Sequence, residues 1–342
     1  MTSLLRAREL IVGVDIGGSK VAVLVVAPDG GPVGRFVLSR PVGRQDEAVD
    51  VIADAVLAAL AEAGAGVDAA AAVGVGVPGR VDPATGTVSL AVNLGWEELP
   101  LGTLLTERLE LPVVLENDVR AAAFGLHRRQ ILGDVDDLAY LSLGTGISAG
   151  VVIDGRLHRG TRGLAGEIGH IVLERKGPLC QCGLHGCFEA LASGPAIART
   201  AREGLAAGRT SSLRTLGEAI TAADVYQAAA VGDPLAADIA TRVGEYVARA
   251  VHELVMAYDV EVVVLGGGVS NAGDTFLDPI LRALDAMRDA SALAREVLRP
   301  GVVHLLAPGS DTGAWGAVSV AQAALAGIWS AAVRPPDEIV EG

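Results

Sequence analysis

Short runs of β-branched and aliphatic residues alternate along this chain with longer alanine-rich stretches. The short runs are bounded by glycine or polar residues and predict buried β-strands at residues 10–14, 21–26, 112–115, 138–143, 149–153 and 262–265. The alanine-rich stretches predict helices at residues 45–63, 193–207 and 221–259, and shorter helices are predicted at residues 99–109 and 119–126. Because strands and helices follow one another in turn, the sequence predicts an α/β protein.

Two of the predicted strand pairs enclose a glycine turn. Residues 15–20 are Asp-Ile-Gly-Gly-Ser-Lys and residues 144–146 are Gly-Thr-Gly, each between two apolar runs. The first turn resembles a P-loop, but its Gly-Ser-Lys order and the β-branched run that follows both differ from that motif. We expect instead β-hairpins whose backbone N–H groups approach phosphate, with Asp15 near the metal ion that accompanies ATP. Two such hairpins suggest a duplicated architecture.

A third glycine cluster, at residues 74–79, has the GxGxxG spacing of dinucleotide-binding folds. That fingerprint has to open a helix, whereas residues 81–88 predict a turn and another strand. The sequence therefore predicts no dinucleotide site here.

The cysteines of the chain, Cys180, Cys182 and Cys187, all lie within eight residues. A disulfide between residues two apart would be strained, so a metal site is the better interpretation of this cluster than a disulfide or three scattered reduced thiols. Three thiolates and one imidazole would complete the tetrahedral shell that structural zinc prefers. His170 is the nearest unforced fourth ligand, and His185, inside the cysteine loop, is the alternative.

Polar residues follow the strand predicted at residues 112–115. Glu116, Asn117 and Asp118 come at its carboxyl end, where active-site residues of α/β sheets commonly lie. Asn and Asp are also good helix N-caps. Taken alone, these residues favour a cap for the helix predicted at residues 119–126, and a functional site is the alternative.

Composition and charge restrict the class of protein. The chain has 342 residues, of which 51% are hydrophobic and 3% aromatic, so we expect two domains with cores of Ala, Val, Leu and Ile. A formal charge of −14 disfavours nucleic-acid binding. The N-terminus has no signal-peptide pattern and no apolar run approaches the roughly 20 residues of a membrane span. Because the clustered thiols also indicate a reducing compartment, we expect a cytoplasmic protein.

One segment is specific enough to indicate a family. Glu167-x-Gly169-His170, followed by Cys180-x-Cys182-Gly183-x-x-Gly186-Cys187-x-Glu189, resembles the signature of the ROK family of sugar kinases and sugar-responsive repressors. The resemblance covers residues 10–325, with the motifs in the family's order. It implies an actin-like (ribonuclease H-like) duplicated α/β fold with two lobes and a cleft between them.

The resemblance also implies how the chain is organised. We expect a smaller N-terminal lobe at residues 1–121, completed by a C-terminal helix at about residues 313–330, and a larger lobe at residues 122–312 that carries the zinc loop 170–187. Repressors of the family have a helix-turn-helix ahead of this body, but the first glycine motif of this sequence begins at Gly13, so we expect none here. Homodimers and homotetramers are frequent in the family, and we expect one of them.

The activity implied by the resemblance is ATP-dependent phosphorylation of a hexose on its 6-hydroxyl, with Asp118 as the catalytic base. The implied sugar contacts are Gly79, Asn93, Asn117, Asp118, Glu167, His170 and Glu189. The implied contacts with ATP and Mg²⁺ are Asp15, Gly17, Gly18, Ser19, Lys20, Gly144, Thr145, Gly146, Gly266, Gly267 and Gly268. The implied ligands of a structural Zn²⁺ are His170, Cys180, Cys182 and Cys187.

The Asn93-Leu94-Gly95-Trp96 stretch favours glucose, although the same glutamates and histidine serve kinases of N-acetylmannosamine, N-acetylglucosamine and fructose. Two alternatives are a non-catalytic sugar sensor on the same fold and an acetate-kinase-like or chaperone-like ATPase.

Four positions depart from the family's pattern or have no assignment. Arg120 replaces a small polar residue, and we expect it to affect the rim of the site more than the chemistry. Ser148 and Ala149 stand where two glycines are common, which argues against tight backbone approach there. Arg80 has no assigned role.

Overall fold

Two sheets with the same strand pattern form the framework of the chain. The computed structural model describes residues 9–18, 20–40 and 42–329. Ser19, predicted to contact phosphate, lies outside them.

The elements up to residue 128 are β1 (Leu10–Ile16), β2 (Val21–Val26), β3 (Pro32–Leu38), α1 (Ala48–Glu62), β4 (Ala70–Val77), β5 (Arg80–Asp82), β6 (Thr87–Ala91), β7 (Trp96–Leu99), α2 (Leu101–Leu109), β8 (Val113–Asn117) and α3 (Asp118–Arg128). The later elements are β9 (Leu138–Leu143), β10 (Ile147–Ile153), β11 (Arg156–His158), α4 (Phe188–Ala192), α5 (Gly194–Ala206), α6 (Ala222–Ala230), α7 (Pro234–Tyr258), β12 (Val262–Gly266), α8 (Asp274–Ala290), α9 (Ala292–Val297), β13 (Val303–Leu305) and α10 (Thr312–Leu325).

The chain divides into two units that differ from the predicted lobes. The first comprises Met1–Gly133, Arg156–Ala165 and Asp311–Gly342, and the second comprises Asp134–Gly155 and Gly166–Ser310. The predicted boundary at 121/122 falls inside α3. That helix stays whole in the first unit because it packs closely on α10: a Cβ on Gly125 would lie 2.6 Å from the Cα of Gly316.

In the first unit the sheet order is β3-β2-β1-β4-β8. Strand β1 pairs antiparallel with β2 and parallel with β4, and β4 pairs parallel with β8. In the second unit β10, β9, β12 and β13 are neighbours in that order, with β10 antiparallel to β9 and the other pairs parallel. The repeated pattern confirms the predicted duplication, and in both units the first two strands form a hairpin around a glycine turn.

The strands of the first sheet alternate between two cores. In β1, Leu10, Val12 and Val14 belong to the core that includes Ile52 and Val56 of α1, whereas Ile11 packs in the core that includes Ala314 and Val318 of α10. This is the two-residue period of a strand buried on both faces.

Helix α10 lies unusually close to the strands beneath it, because glycines face it. A Cβ on Gly13 would lie 2.2 Å from the carbonyl oxygen of Ala314, and one on Gly74 would lie 1.9 Å from that of Ala317. Real side chains cannot occupy such positions, so these glycines determine the depth of α10 on the sheet.

The second unit has its own core around α7, including Leu141, Ile147, Phe188 and Val247. The helix predicted across residues 221–259 is two helices, α6 and α7. Gly232, at φ +85°, ends the first one, and Asp233 caps the second by accepting from the N–H of Ala236 at 3.1 Å. Among the described residues, no helix is both long and apolar enough to span a bilayer.

Candidate functional site

The turn between β8 and α3 carries the predicted base. Asn117 caps α3: its Oδ1 accepts from the N–H groups of Val119 and Arg120, each at 3.1 Å. Its Nδ2 donates to the carbonyl oxygen of Gly79 at 3.1 Å and to the Asp118 carboxylate at 3.0 Å. The cap interpretation is therefore correct for Asn117, and the same amide orients Asp118.

These four bonds use both donors and both lone pairs of the Asn117 amide, which is 5% exposed. For Asn117 to contact a sugar hydroxyl directly, one of these four hydrogen bonds would have to be replaced by a bond to the sugar. Gly79, predicted beside the sugar, has φ +98°, and a Cβ there would lie 2.3 Å from the carbonyl oxygen of Leu90. Only glycine fits this position.

Two carboxylates of the first unit have unusual proton affinities. Burial raises the pKa of Asp118 to about 7, and the negative charge of Asp15 adds to the rise, against the opposing effects of the Val119 N–H and of Arg120. Burial raises the pKa of Asp15 to about 6, with Lys20 opposing and Asp311 adding to the rise. Asp118 is partly exposed, so a reactant can reach it although protein surrounds it. Such a pair is typical of a functional site.

Asp15 lies at the end of β1 directly against the start of α10. A Cβ on Gly313 would lie 2.4 Å from the Asp15 carboxylate. After it, the N–H of Gly17 donates to the carbonyl oxygen of Lys20 at 2.8 Å, while Gly18 is exposed with open space around it. The first predicted hairpin is present, and its glycine turn is open to a ligand.

The second hairpin lies beside the other predicted nucleotide segment. The N–H of Gly144 donates to the carbonyl oxygen of Gly146 at 2.9 Å, and Thr145 at the tip is exposed. A Cβ on Gly144 would lie 3.9 Å from the backbone nitrogen of Gly268, so the two glycine segments meet. Within residues 266–268, Gly267 has φ +88°.

The Glu167 to His170 segment packs directly on β10. A Cβ on Gly166 would lie 1.8 Å from the carbonyl oxygen of Ala149, and one on Gly169 would lie 2.1 Å from that of Ile147. The carbonyl oxygen of Gly166 accepts from the N–H of Ala149 at 2.8 Å and from the hydroxyl of Ser148 at 3.3 Å. Tight backbone approach, which the departure at Ser148 and Ala149 put in doubt, is present there because the glycines of the facing segment permit it.

The predicted sugar ligands of the second unit fall into two places. Nε2 of His170 lies 4.0 Å from Oε2 of Glu167, and both side chains are partly exposed. Glu189, on α4, accepts from the N–H of Ile147 at 2.9 Å, and a Cβ on Gly146 would lie 2.8 Å from the same carboxylate oxygen. Glu189 therefore lies at the Gly-Thr-Gly turn.

The Asn93 stretch borders an open groove of the first unit. Asn93 is exposed in a short helical turn, whereas Trp96 is buried. The groove has a volume of about 1160 Å³, and Leu94 and Gly95 are among its lining residues. Asp118 does not line it, so the groove is separate from the predicted chemistry. Arg80, at the start of β5, is exposed.

The predicted zinc ligands converge. Ligand atoms of His170, Cys180, Cys182 and Cys187 all lie within 4.8 Å of one another. The Sγ of Cys180 lies 3.7 Å from Nδ1 of His170, and the Sγ atoms of Cys182 and Cys187 are 3.6 Å apart. With Zn–S bonds of about 2.3 Å, a tetrahedral shell has S–S edges of about 3.8 Å, so this donor set fits zinc.

His185 is not part of this group of converging ligand atoms, and its Nδ1 lies 3.1 Å from the carbonyl oxygen of Gly177. Burial raises the pKa of the Cys187 thiol to about 12. A bound cation would favour the thiolate there.

The expectation that Arg120 affects the rim of the site is wrong. Its side chain is only 2% exposed and forms an ion pair with Glu116, whose side chain is fully buried; Arg159 binds the same carboxylate. Glu116 lies in a strand, so the helical i, i+4 rule gave no signal of its pairing with Arg120. No sequence signal pointed to Arg159.

The comparisons with known proteins agree with these features. The model of the ROK family matches residues 11–324. A glucokinase of Halalkalibacterium halodurans is 36% identical over 80% of this chain and 85% of its own length. An N-acetylmannosamine kinase of Yersinia pestis is 35% identical over 75% of this chain and 82% of its own length.

The crystal structure of a ROK family glucokinase from Streptomyces griseus, in complex with glucose and AMPPNP, matches at a TM-score of 0.75 and 33% identity. The match covers 92% of this chain and 99% of that one. The fold is therefore the actin-like α/β fold of such kinases, and the chain belongs to the ROK family.

Proposed function

We propose that this protein is an ATP-dependent kinase that phosphorylates a hexose, glucose foremost, on its 6-hydroxyl. The observation that carries the proposal is the Asp118 carboxylate, oriented by the Asn117 amide at a strand end and with its pKa raised to about 7. A carboxylate of that pKa is well suited to accept a proton near neutral pH.

In the proposed reaction, Asp118 takes the proton of the sugar 6-hydroxyl as that oxygen attacks the γ-phosphorus of ATP. The bond from the γ-phosphorus to the bridging oxygen breaks, and ADP leaves with the electron pair. Positioning and electrostatic stabilisation carry most of the rate in such transfers. The exposed glycine turns at residues 17–18 and 144–146 are proposed to offer backbone N–H groups to the phosphates.

Magnesium suits the donor set beside the first turn. Asp15 supplies a carboxylate oxygen at the end of β1, the type of ligand that Mg²⁺ prefers. Bound Mg²⁺ would neutralise charge on the ATP phosphates, and Asp15 is the residue proposed to hold it.

Glu167, His170 and Glu189 are proposed to bind the sugar hydroxyls, and zinc to hold their segments in shape. Nδ1 of His170 faces the cysteines, and Nε2 of the same ring faces Glu167. The metal and the sugar can therefore use different ring nitrogens. Cys187 directly precedes α4, which bears Glu189. The N–H of Phe188 donates to the carbonyl oxygen of Ile171 at 2.9 Å and joins the two segments.

Glucose is favoured because a matched relative and a matched structure are named glucokinases, the latter in complex with glucose. The N-acetylmannosamine kinase match keeps that sugar as the alternative. The thiol cluster would be maintained in a reducing compartment, so we propose a cytoplasmic enzyme. A homodimer or homotetramer stays a prediction.

Replacing the base tests the proposed chemistry. Asp118→Asn should lower kcat by about 10²- to 10⁴-fold, because an amide of the same shape cannot accept the proton. Glucose affinity by calorimetry, zinc content and fold should be retained. Asp50→Asn, which changes a surface carboxylate paired with Arg108, is the matched control and should keep the parent kcat. A folded Asp118→Asn enzyme within about tenfold of the parent rate would rule out the proposed role.

The raised pKa of Asp118 predicts the pH dependence. Only the ionised carboxylate is a base, so kcat/KM for glucose should rise with pH and level off above a midpoint of about 7. In Asp118→Asn the residual rate should lose this limb. Initial rates from pH 5 to pH 9 at saturating MgATP measure this. An unchanged midpoint in Asp118→Asn would show that another group titrates.

The metal cluster predicts about one zinc per chain by elemental analysis. Cys187→Ser and His170→Ala should each lose the metal, and Cys187→Ser should raise the KM for glucose because Glu189 lies two residues away. The control His185→Ala should keep the zinc. Active parent protein without bound metal would refute the site, and zinc loss in His185→Ala would show that the fourth ligand is misassigned.

A further inference from the structure

A buried ion-pair cluster adjoins Asp118 in the chain. Glu116 is fully buried, and its Oε1 accepts from the N–H of Asn117 and from Nε of Arg120, both at 2.8 Å. Its Oε2 accepts from Nε of Arg159 at 2.6 Å. We call Glu116, Arg120 and Arg159 the buried triad. A single carboxylate thus binds two guanidinium groups and a backbone N–H of the turn that carries the base.

The buried triad fixes the loop of residues 159–165 to this turn. Nη1 of Arg120 donates to the carbonyl oxygen of Gly163 at 2.7 Å, and Arg159 at the start of the loop is held by Glu116. The N–H of Ala165 donates to the carbonyl oxygen of Arg159 at 3.1 Å, which closes the loop on itself. The loop is therefore attached at two points, to Glu116 near the end of β8 and to Arg120 in the first turn of α3.

A third contact comes from the C-terminal segment. The guanidinium of Arg159 lies 4.2 Å from the centre of the Trp329 ring, and that ring packs edge-on against Phe124 of α3 at 5.1 Å between centroids. Helix α3 thus meets the loop through its first turn and, by way of Trp329, through its second.

Arg120 belongs to two networks at once. Its backbone N–H binds Oδ1 of Asn117, the residue whose Nδ2 binds Asp118. Its side chain binds Glu116 and Gly163. Any shift of the Arg120 side chain is therefore transmitted through one turn of backbone to the amide that orients the carboxylate.

Stability alone is a poor explanation for such a cluster. Taking one carboxylate and two guanidiniums out of water is costly, and apolar residues of similar volume often stabilise a protein as well or better. The arrangement instead fixes the orientation of the side chains. A planar guanidinium with two hydrogen-bonded nitrogens has few orientations left.

We propose that the buried triad is a positioning device for Asp118. By holding loop 159–165 on the first turn of α3, it keeps the Asn117 amide, and with it the Asp118 carboxylate, in a single orientation. Arg120 and Arg159 are positioning residues that do not touch the reactants. This inference rests on the proposed function, because orientation of Asp118 affects the rate only if Asp118 acts on the substrate.

Arg120→Lys tests the proposal. Lysine keeps the charge and most of the length, but a single ammonium cannot bind Glu116 and Gly163 in the same fork geometry. We expect kcat to fall by about tenfold to a hundredfold, as small misplacements of catalytic groups do. The KM for glucose should change by less than about threefold, because the sugar contacts are untouched. Arg209→Lys, which changes the exposed pair with Asp238, is the control and should leave kcat and KM at parent values.

Hydrogen exchange supplies a readout that does not need activity. In Arg120→Lys, backbone amides of residues 159–165 should exchange about tenfold faster or more than in the parent, while the β1 amides stay protected. If Arg120→Lys does not fold, Arg159→Lys carries the same two expectations, since Arg159 lies at the more exposed end of the buried triad.

The outcomes separate the two proposals. Unchanged exchange in loop 159–165, or a kcat within about threefold of the parent, would overturn the positioning role. A fall in kcat matched by an equal rise in KM would also overturn it, since that pattern indicates lost sugar binding. If the parent phosphorylates no hexose, the proposed function fails, and the exchange measurement still decides whether the buried triad holds the loop.

Discussion

The hydrogen bonds of one buried amide determine where α3 begins and where the Asp118 carboxylate lies. Asn117 ends β8, satisfies two N–H groups of the first helical turn and donates to Asp118. The end of β8, the start of α3 and the candidate base Asp118 therefore lie in a single turn. Glu116, one residue earlier, fixes the same turn from the core. A cap and a candidate catalytic residue, which were alternatives on the sequence, are the neighbouring residues Asn117 and Asp118.

Close backbone packing supports this turn from the far side. Helix α10 reaches Asp15 through Gly313 and rests on β1 and β4 at Gly13 and Gly74. The second unit uses the same device, since Gly166 and Gly169 place the Glu167 to His170 segment directly on β10. In both units, the absence of a Cβ lets one backbone approach another and brings a polar side chain to a defined place.

Local sequence patterns predicted much of this fold, but they did not predict contacts between residues that are distant in the sequence. Both hairpins were predicted because glycine turns between apolar runs are local features. The cysteine spacing predicted a metal site, but spacing could not choose between His170 and His185, which differ in three-dimensional contacts. The break between α6 and α7 was missed because the alanine-rich composition continues across Gly232. Arg120 was assigned to the rim because its partner Gly163 lies 43 residues away, in a loop with no recognisable pattern.

The most direct test of the account is ADP release from ATP with no sugar, with glucose and with N-acetylmannosamine, with the phosphorylated product identified by NMR. The account predicts release only when a hexose is present, fastest with glucose, and phosphorus on the 6-oxygen. Equal release without sugar would indicate a generic ATPase, and no release with any hexose would indicate a sugar sensor. Either result would contradict the assignment of Asp118 as the base of a sugar kinase.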